Sequence, residues 1–194
     1  MSQDRASAGN SKSENATAKH RKKPKKITES YLHNAGLYYL ERFASSSGNF
    51  HAVMMRKVKR SCMVHTEQNY EQCAAMVDAL VEKFINAGLL DDQTYTRSKV
   101  STLRCQGKSA RFIDAYLKAK GLPAEQIGKA LKHYDNENAT TPAEAEREAA
   151  ITFARKKRLG PFRDKKEYDP QKELGRMARA GFSYDTSRSV LEIE

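Results

Sequence analysis

Tryptophan is absent from this 194-residue chain, and no apolar run exceeds a few residues. A membrane-spanning helix needs about 20 consecutive apolar residues, so none is expected here. The first residues hold no apolar core of the kind a secretory leader requires. Cysteine is scarce and irregularly spaced: Cys62, Cys73 and Cys105 are an odd set. Such a set suits reduced thiols in a cytoplasmic protein better than a disulfide framework. Mean hydropathy is low, at −0.79. With 39% hydrophobic residues the chain can still build cores, though modest ones.

Positive charge is plentiful. The formal net charge is +11, and residues 1–26 alone hold eight cations against Asp4 and Glu14. That segment is rich in Ser, Ala, Asn and Lys, with almost nothing apolar to bury, so it is expected to be a disordered basic tail. A basic tail suits nucleic acid, and it is equally an ordinary solvated extension.

Beyond the tail, apolar residues recur at helical spacing and no stretch alternates as a strand would. Thr28 is a candidate N-cap ahead of Tyr31, Ala35, Tyr38 and Tyr39. Ser45-Ser46-Ser47-Gly48 separates that helix from one carrying Phe50, Val53, Met54 and Val58. Thr66 is placed to cap a third helix with Tyr70, Cys73, Val77, Leu80 and Phe84 inward, stopped at Gly88. Asp91 then caps a fourth helix, and Asp92 adds charge at its positive end. Gly107 stops the fourth, Ser109 caps the fifth, Gly121 stops the fifth, and Leu122-Pro123 open the sixth. Residues 135–141 read as a linker before a helix from Pro142 to about Lys157. Gly160-Pro161 breaks that helix, Asp169-Pro170 begins another, and Gly181-Phe182 precedes a last short one.

An internal echo recurs at about 60 residues. Gly48, Met54 and Val58 align with Gly107, Ile113 and Leu117 at an offset of 59. Leu117, Gly121 and Leu131 align with Met177, Gly181 and Leu191 at an offset of 60. The expectation is an all-α fold, an elongated curved array of three tandem three-helix repeats. Its parts are a tail at 1–26, repeats at 27–90 and 91–135, a linker at 136–141, and a third repeat at 142–194.

Catalytic constellations fail one by one. Gly107-Lys108-Ser109 resembles the end of a phosphate-binding loop, but Thr102 stands where its first glycine belongs and a helix, not a strand, precedes it. Cys62-x-x-His65 is half a zinc site without a second pair. Asp91 and Asp92 are adjacent and point apart, which suits capping rather than paired acid chemistry. The expectation is therefore no enzyme, no metal and no cofactor. What remains is a set of cations: Arg97, Arg104, Lys108, Arg111, Lys118 and Lys120, then Lys156, Lys157, Arg158 and Lys166. They fall on polar helix faces and around two helix breaks. Glycines 88, 121 and 181, with Asp91, Asp92 and Ser109, are assigned to capping.

The run Gly88-Leu89-Leu90-Asp91-Asp92-x-x-Tyr95, followed by Arg104-x-x-Gly107-Lys108-Ser109-x-Arg111-x-Ile113-x-x-x-Leu117-x-x-Lys120-Gly121-Leu122, then Ile127 and Ala130-Leu131, resembles the RecX family. Gly181-Phe182-Ser183-Tyr184-Asp185 resembles that family's C-terminal end, and Ala35-x-x-Tyr38-Tyr39-Leu40-x-Arg42 its opening helix. The resemblance implies three tandem three-helix repeats and a cytoplasmic, monomeric, non-enzymatic inhibitor of the RecA recombinase. Such a protein would lie in the groove of the RecA filament on single-stranded DNA, without contact to a membrane. There it would modulate ATP hydrolysis, strand exchange and the SOS response, with Arg104, Lys108 and Arg111 as central contacts. The alternative is a direct DNA-binding protein whose recognition helix is Ser109–Lys120.

Overall fold

The computed structural model describes residues 23–164 and 169–192, and within them the chain is all-helical. Nine α-helices follow one another among the described residues: α1 Glu29–Leu40, α2 Ser47–Cys62, α3 Tyr70–Asn86, α4 Asp92–Cys105, α5 Ala110–Lys118, α6 Ala124–Asn138, α7 Pro142–Lys157, α8 Pro170–Arg179 and α9 Tyr184–Leu191. A single 3₁₀ turn, Gly160–Phe162, sits between α7 and α8.

The helices group in threes because each triplet owns an apolar core. Phe50, Met54 and Val58 of α2 meet Cys73, Val77, Leu80 and Phe84 of α3 under Leu32 of α1. Tyr95, Val100 and Leu103 of α4 close over Ile113, Leu117, Ile127 and Ala130. The third core is built of smaller pieces, with Ala149, Ala150 and Ala154 of α7 against Met177, Phe182, Val190 and Leu191. Small residues let α7 and α9 approach closely, at the cost of less apolar area per residue.

Local chemistry sets the boundaries. The side chains of Thr28, Ser46, Asp91, Ser109, Thr141, Asp169 and Ser183 each accept a first-turn amide of the helix they precede. After α3, Gly88 adopts φ 71°, and the amides of Leu89 and Leu90 return to the Phe84 carbonyl. Helix α7 ends differently: Arg158, not a glycine, takes the left-handed conformation at φ 55°.

Four expectations are corrected. Thr66 does not cap α3; Asn69 does, accepting from the Gln72 amide, and α3 starts at Tyr70. Helix α6 runs on to Asn138, so Asp135 belongs to a helix rather than a linker. Residues 24–27 are not free tail. The Ser61 hydroxyl donates to the Lys25 carbonyl, His65 Nε2 lies 2.9 Å from the Pro24 carbonyl, and Gln68 brackets the Ile27 amide and carbonyl. The rest of the expected tail, residues 1–22, lies outside the described residues. Last, the repeat offset between the first two units is 63, because Ser46 and Ser109 occupy the same N-cap position. An offset of 59 is one helical turn out, and a one-turn slip leaves the apolar stripe in phase. The offset of 60 to the third unit matches the left-handed glycines 121 and 181.

Two glycine substitutions separate backbone constraint from helix propensity. A Cβ on Gly107, at φ 78°, would lie 2.8 Å from the Phe153 amide nitrogen and 2.9 Å from the Ala149 carbonyl. Gly107→Ala should lose about 1–3 kcal/mol in urea unfolding. Gly128, inside α6 with nothing near its missing Cβ, should gain about 0.5–1 kcal/mol as alanine.

Candidate functional site and the joints between units

The first amides of any helix lack an intrahelical partner. At α2 and α5 these amides are used to attach the next unit. Ser46 Oγ accepts from the Asn49 amide and donates to the Lys120 carbonyl, 2.5 Å away at the end of α5. Ser109 Oγ accepts from the Phe112 amide and donates to the Ala180 carbonyl, 2.7 Å away at the end of α8. Each helix start also receives an acid from the following unit. The Asp92 carboxylate takes the Ser47 amide at 2.7 Å and the Ser47 hydroxyl at 2.5 Å. The Glu146 carboxylate takes the Ala110 amide at 3.0 Å. Glycine makes the approach possible: a Cβ on Gly48 would stand 3.0 Å from the Gly121 Cα, and one on Gly181 would stand 2.5 Å from Ser109 Oγ.

Arg104 completes the second joint, and here the sequence-based assignment is overturned. Its side chain is only 3% exposed. Nε and one terminal nitrogen fork onto the two Asp135 oxygens at 3.1 and 2.7 Å, and the other terminal nitrogen reaches Glu146 at 2.6 Å. Burial opposes the charge, but the hydrogen bonds it donates to Glu146 and Asp135 outweigh that and hold the guanidinium pKa above its ordinary value. Arg104 thus ties α4, α6 and α7 together and has no surface with which to touch a partner. Asp135 carried no signal of this, because an acid in a polar run reads as solvated.

The other cations divide by environment. Lys108 is half-buried, its Nζ 4.6 Å from the Phe112 ring centre. Lys156 donates to the Gln106 carbonyl at 3.1 Å, which brings it beside the turn carrying Lys108. Arg111 is exposed, with its Cβ against Gly181. The second joint therefore gathers Lys108, Arg111 and Lys156 from two units. Lys120 belongs to the first joint, donating to Asn49 Oδ1 at 3.1 Å, with its Nζ 5.6 Å from the Tyr116 ring centre. Lys118 pairs with Asp114 one turn earlier, and Arg158 pairs with Asp164. Arg97 lines a cleft of about 560 Å³ between α4 and α6, and Lys157 is exposed on α7. Lys166 lies outside the described residues. Asp91 is exposed and accepts from the Gln93 and Thr94 amides, and its pKa is lowered chiefly by the Thr94 hydroxyl and amide.

Among the described residues no group of three or more His, Cys, Asp or Glu is placed to hold a metal. No helix among them is long and apolar enough to cross a membrane.

Comparison with known proteins closes the question of family. A family model described as "RecX, second three-helix domain" matches residues 91–131, which carry Asp92, Arg104, Ser109 and Gly121. A regulatory protein RecX of Myxococcus xanthus is 38% identical over 174 residues, covering 88% of this chain and 89% of that one. The chain belongs to the RecX family. A RecX of Agrobacterium fabrum is 27% identical over 84% of this chain and 82% of its own. Two RecX crystal structures share the fold. One has a TM-score of 0.56 at 20% identity, covering 86% of this chain and 72% of that one. The other, from Lactobacillus salivarius, has a TM-score of 0.53 at 21% identity, covering 84% and 94%.

Within this family fold, the Arg104 network makes a sharp demand on stability. Arg104→Met leaves Asp135 buried without a cation, and urea unfolding should show a loss of about 3–5 kcal/mol. Arg104→Lys should not restore it, because an ammonium cannot fork onto Asp135 and reach Glu146 together. A loss within 0.5 kcal/mol, the ordinary range for a surface change, would mean the network carries no weight.

Proposed function

We propose that the chain is a non-enzymatic regulator that inhibits a RecA-type recombinase by lying in the groove of its filament on single-stranded DNA. The observation that supports this most strongly is the second joint. It collects Lys108, Arg111 and Lys156 at one place between two units whose relative position is held by hydrogen bonds. A filament presents the same surface many times, and linked cationic units gain from the high effective concentration of successive sites. Inhibition of ATP hydrolysis and strand exchange, and with it restraint of the SOS response, follows if such a chain bridges neighbouring protomers. Lys118, Lys157 and Arg97 extend the contact as solvent-facing cations, and Lys120 and Arg158 contribute through the side of the head group their partners leave open.

The rival, direct DNA recognition by α5 as a helix in the major groove, is disfavoured by the same joint. A recognition helix leads with its N-terminal residues. Here the start of α5 is covered by Glu146 and by the Ala180–Gly181 turn.

The test is single-stranded-DNA-dependent ATP hydrolysis by the cognate RecA, titrated with the purified chain. Inhibition is expected at amounts well below RecA. Charge reversal of Lys108 and Arg111 together should raise the amount needed by roughly tenfold or more while the helical circular dichroism stays unchanged, since each phosphate or carboxylate contact of this kind is worth on the order of 1 kcal/mol. Undiminished inhibition by that variant would remove the joint from the interface.

A further inference from the structure

The cations gathered at the second joint belong to the second and third units, and the first unit holds a cleft lined by three lysines. It has a volume of about 620 Å³ and lies between the segment at 25–28, helix α1 and Lys57 of α2. Lys25, Lys26 and Lys57 line it together with Tyr31, Tyr38 and Asn34, and among the described residues no carboxylate belongs to its wall. Lys26 is paired with Glu67 at 2.6 Å, and among the described residues Lys25 and Lys57 have no salt-bridge partner. Tyr38 is 56% exposed, and the Arg42 guanidinium sits 4.0 Å from its ring centre. Residues 24–27 along the cleft are held by hydrogen bonds with Ser61, His65 and Gln68.

We propose that this cleft binds a short single-stranded segment of nucleic acid directly, with Lys25 and Lys57 on phosphates and a base stacked on Tyr38. Its volume falls within the range of roughly 300–1,000 Å³ typical of organic-ligand sites. Cations that track a backbone beside an exposed aromatic face are the two parts that sequence-tolerant single-strand binding requires. Arg42 on the Tyr38 ring adds a third positive group and stiffens the platform. An acidic polypeptide would satisfy the lysines but brings no base to stack on Tyr38. The site owes nothing to the second joint and needs no recombinase.

Fluorescence anisotropy of a labelled oligothymidylate of about 15 nucleotides, titrated with the full chain and no other protein, tests this directly. The chain should bind, and Lys25→Glu with Lys57→Glu should weaken binding by about tenfold or more. The same pair should reduce the slope of log K against log salt by about 1.4, the value for two lost single-strand phosphate contacts. Tyr38→Ala should weaken binding about fivefold or more, and Tyr38→Phe should leave it unchanged, because stacking needs the ring and not the hydroxyl. Tyr38 is exposed, so neither change threatens the core, and circular dichroism verifies that the lysine variant is folded. Absence of binding by the unaltered chain would overturn the proposal. So would wild-type affinity in the Tyr38→Ala variant, which would mean bulk electrostatic attraction alone. Equal competition by polyglutamate, again with Tyr38→Ala silent, would identify an acidic-polypeptide cleft instead. Filament inhibition that survives in these variants would leave the second-joint reading standing on its own.

Discussion

Ser46 and Ser109 each close the first turn of their own helix and, through the same hydroxyl, hold a carbonyl at the end of a helix in the next unit. A hydroxyl can do both because it donates once and accepts twice. The acids Asp92 and Glu146 add charge-assisted bonds to the neighbouring amides, each worth about 1.5–3 kcal/mol when shielded from water. Three small cores would otherwise be independent and individually marginal. Coupled nearest neighbour to nearest neighbour, they share stability in the manner of a repeat array.

The joint also decides where charge can stand. Arg104 is consumed within it, locked between Asp135 and Glu146. Lys108, Arg111 and Lys156 are set around it, Lys108 over an aromatic ring, Lys156 on the Gln106 carbonyl and Arg111 exposed. One arginine gives rigidity, and that rigidity fixes the spacing of cations from two units. At the far end the pattern changes. Asp169 caps α8 as Ser109 caps α5, but its exposed carboxylate takes the Gln171 and Lys172 amides and the Lys172 ammonium, all within α8.

Much of this could be read from residues in order, because caps and stops are local. Asp91, Ser109, Gly88, Gly121 and Gly181 declare themselves by chemistry that acts within four residues. The apolar stripes declared the nine helices and their grouping by threes. What could not be read is whatever depends on contacts across dozens of positions. Asp135 looked like linker and Arg104 like surface, since their pairing spans 31 residues. Asp92 looked like a helix-dipole charge, although its partner is Ser47, 45 residues earlier. The two joint acids defeat repeat alignment as well, one sitting in the first turn of α4 and the other in the second turn of α7. The misplaced offset of 59 has the same origin: hydrophobic periodicity cannot distinguish registers one turn apart, whereas the shared serine can.

The claim that the joints hold the units together is most directly tested by amide hydrogen exchange at Ser47 and Ala110 in the intact chain. First-turn amides ordinarily exchange fast, having no helical acceptor. Both should be protected to nearly the level of core amides in α2 and α5, and Asp92→Ala should release Ser47 alone. Fast exchange at both positions in the unaltered protein, with the cores protected, would mean that the three units are merely strung together and that the joints hold nothing.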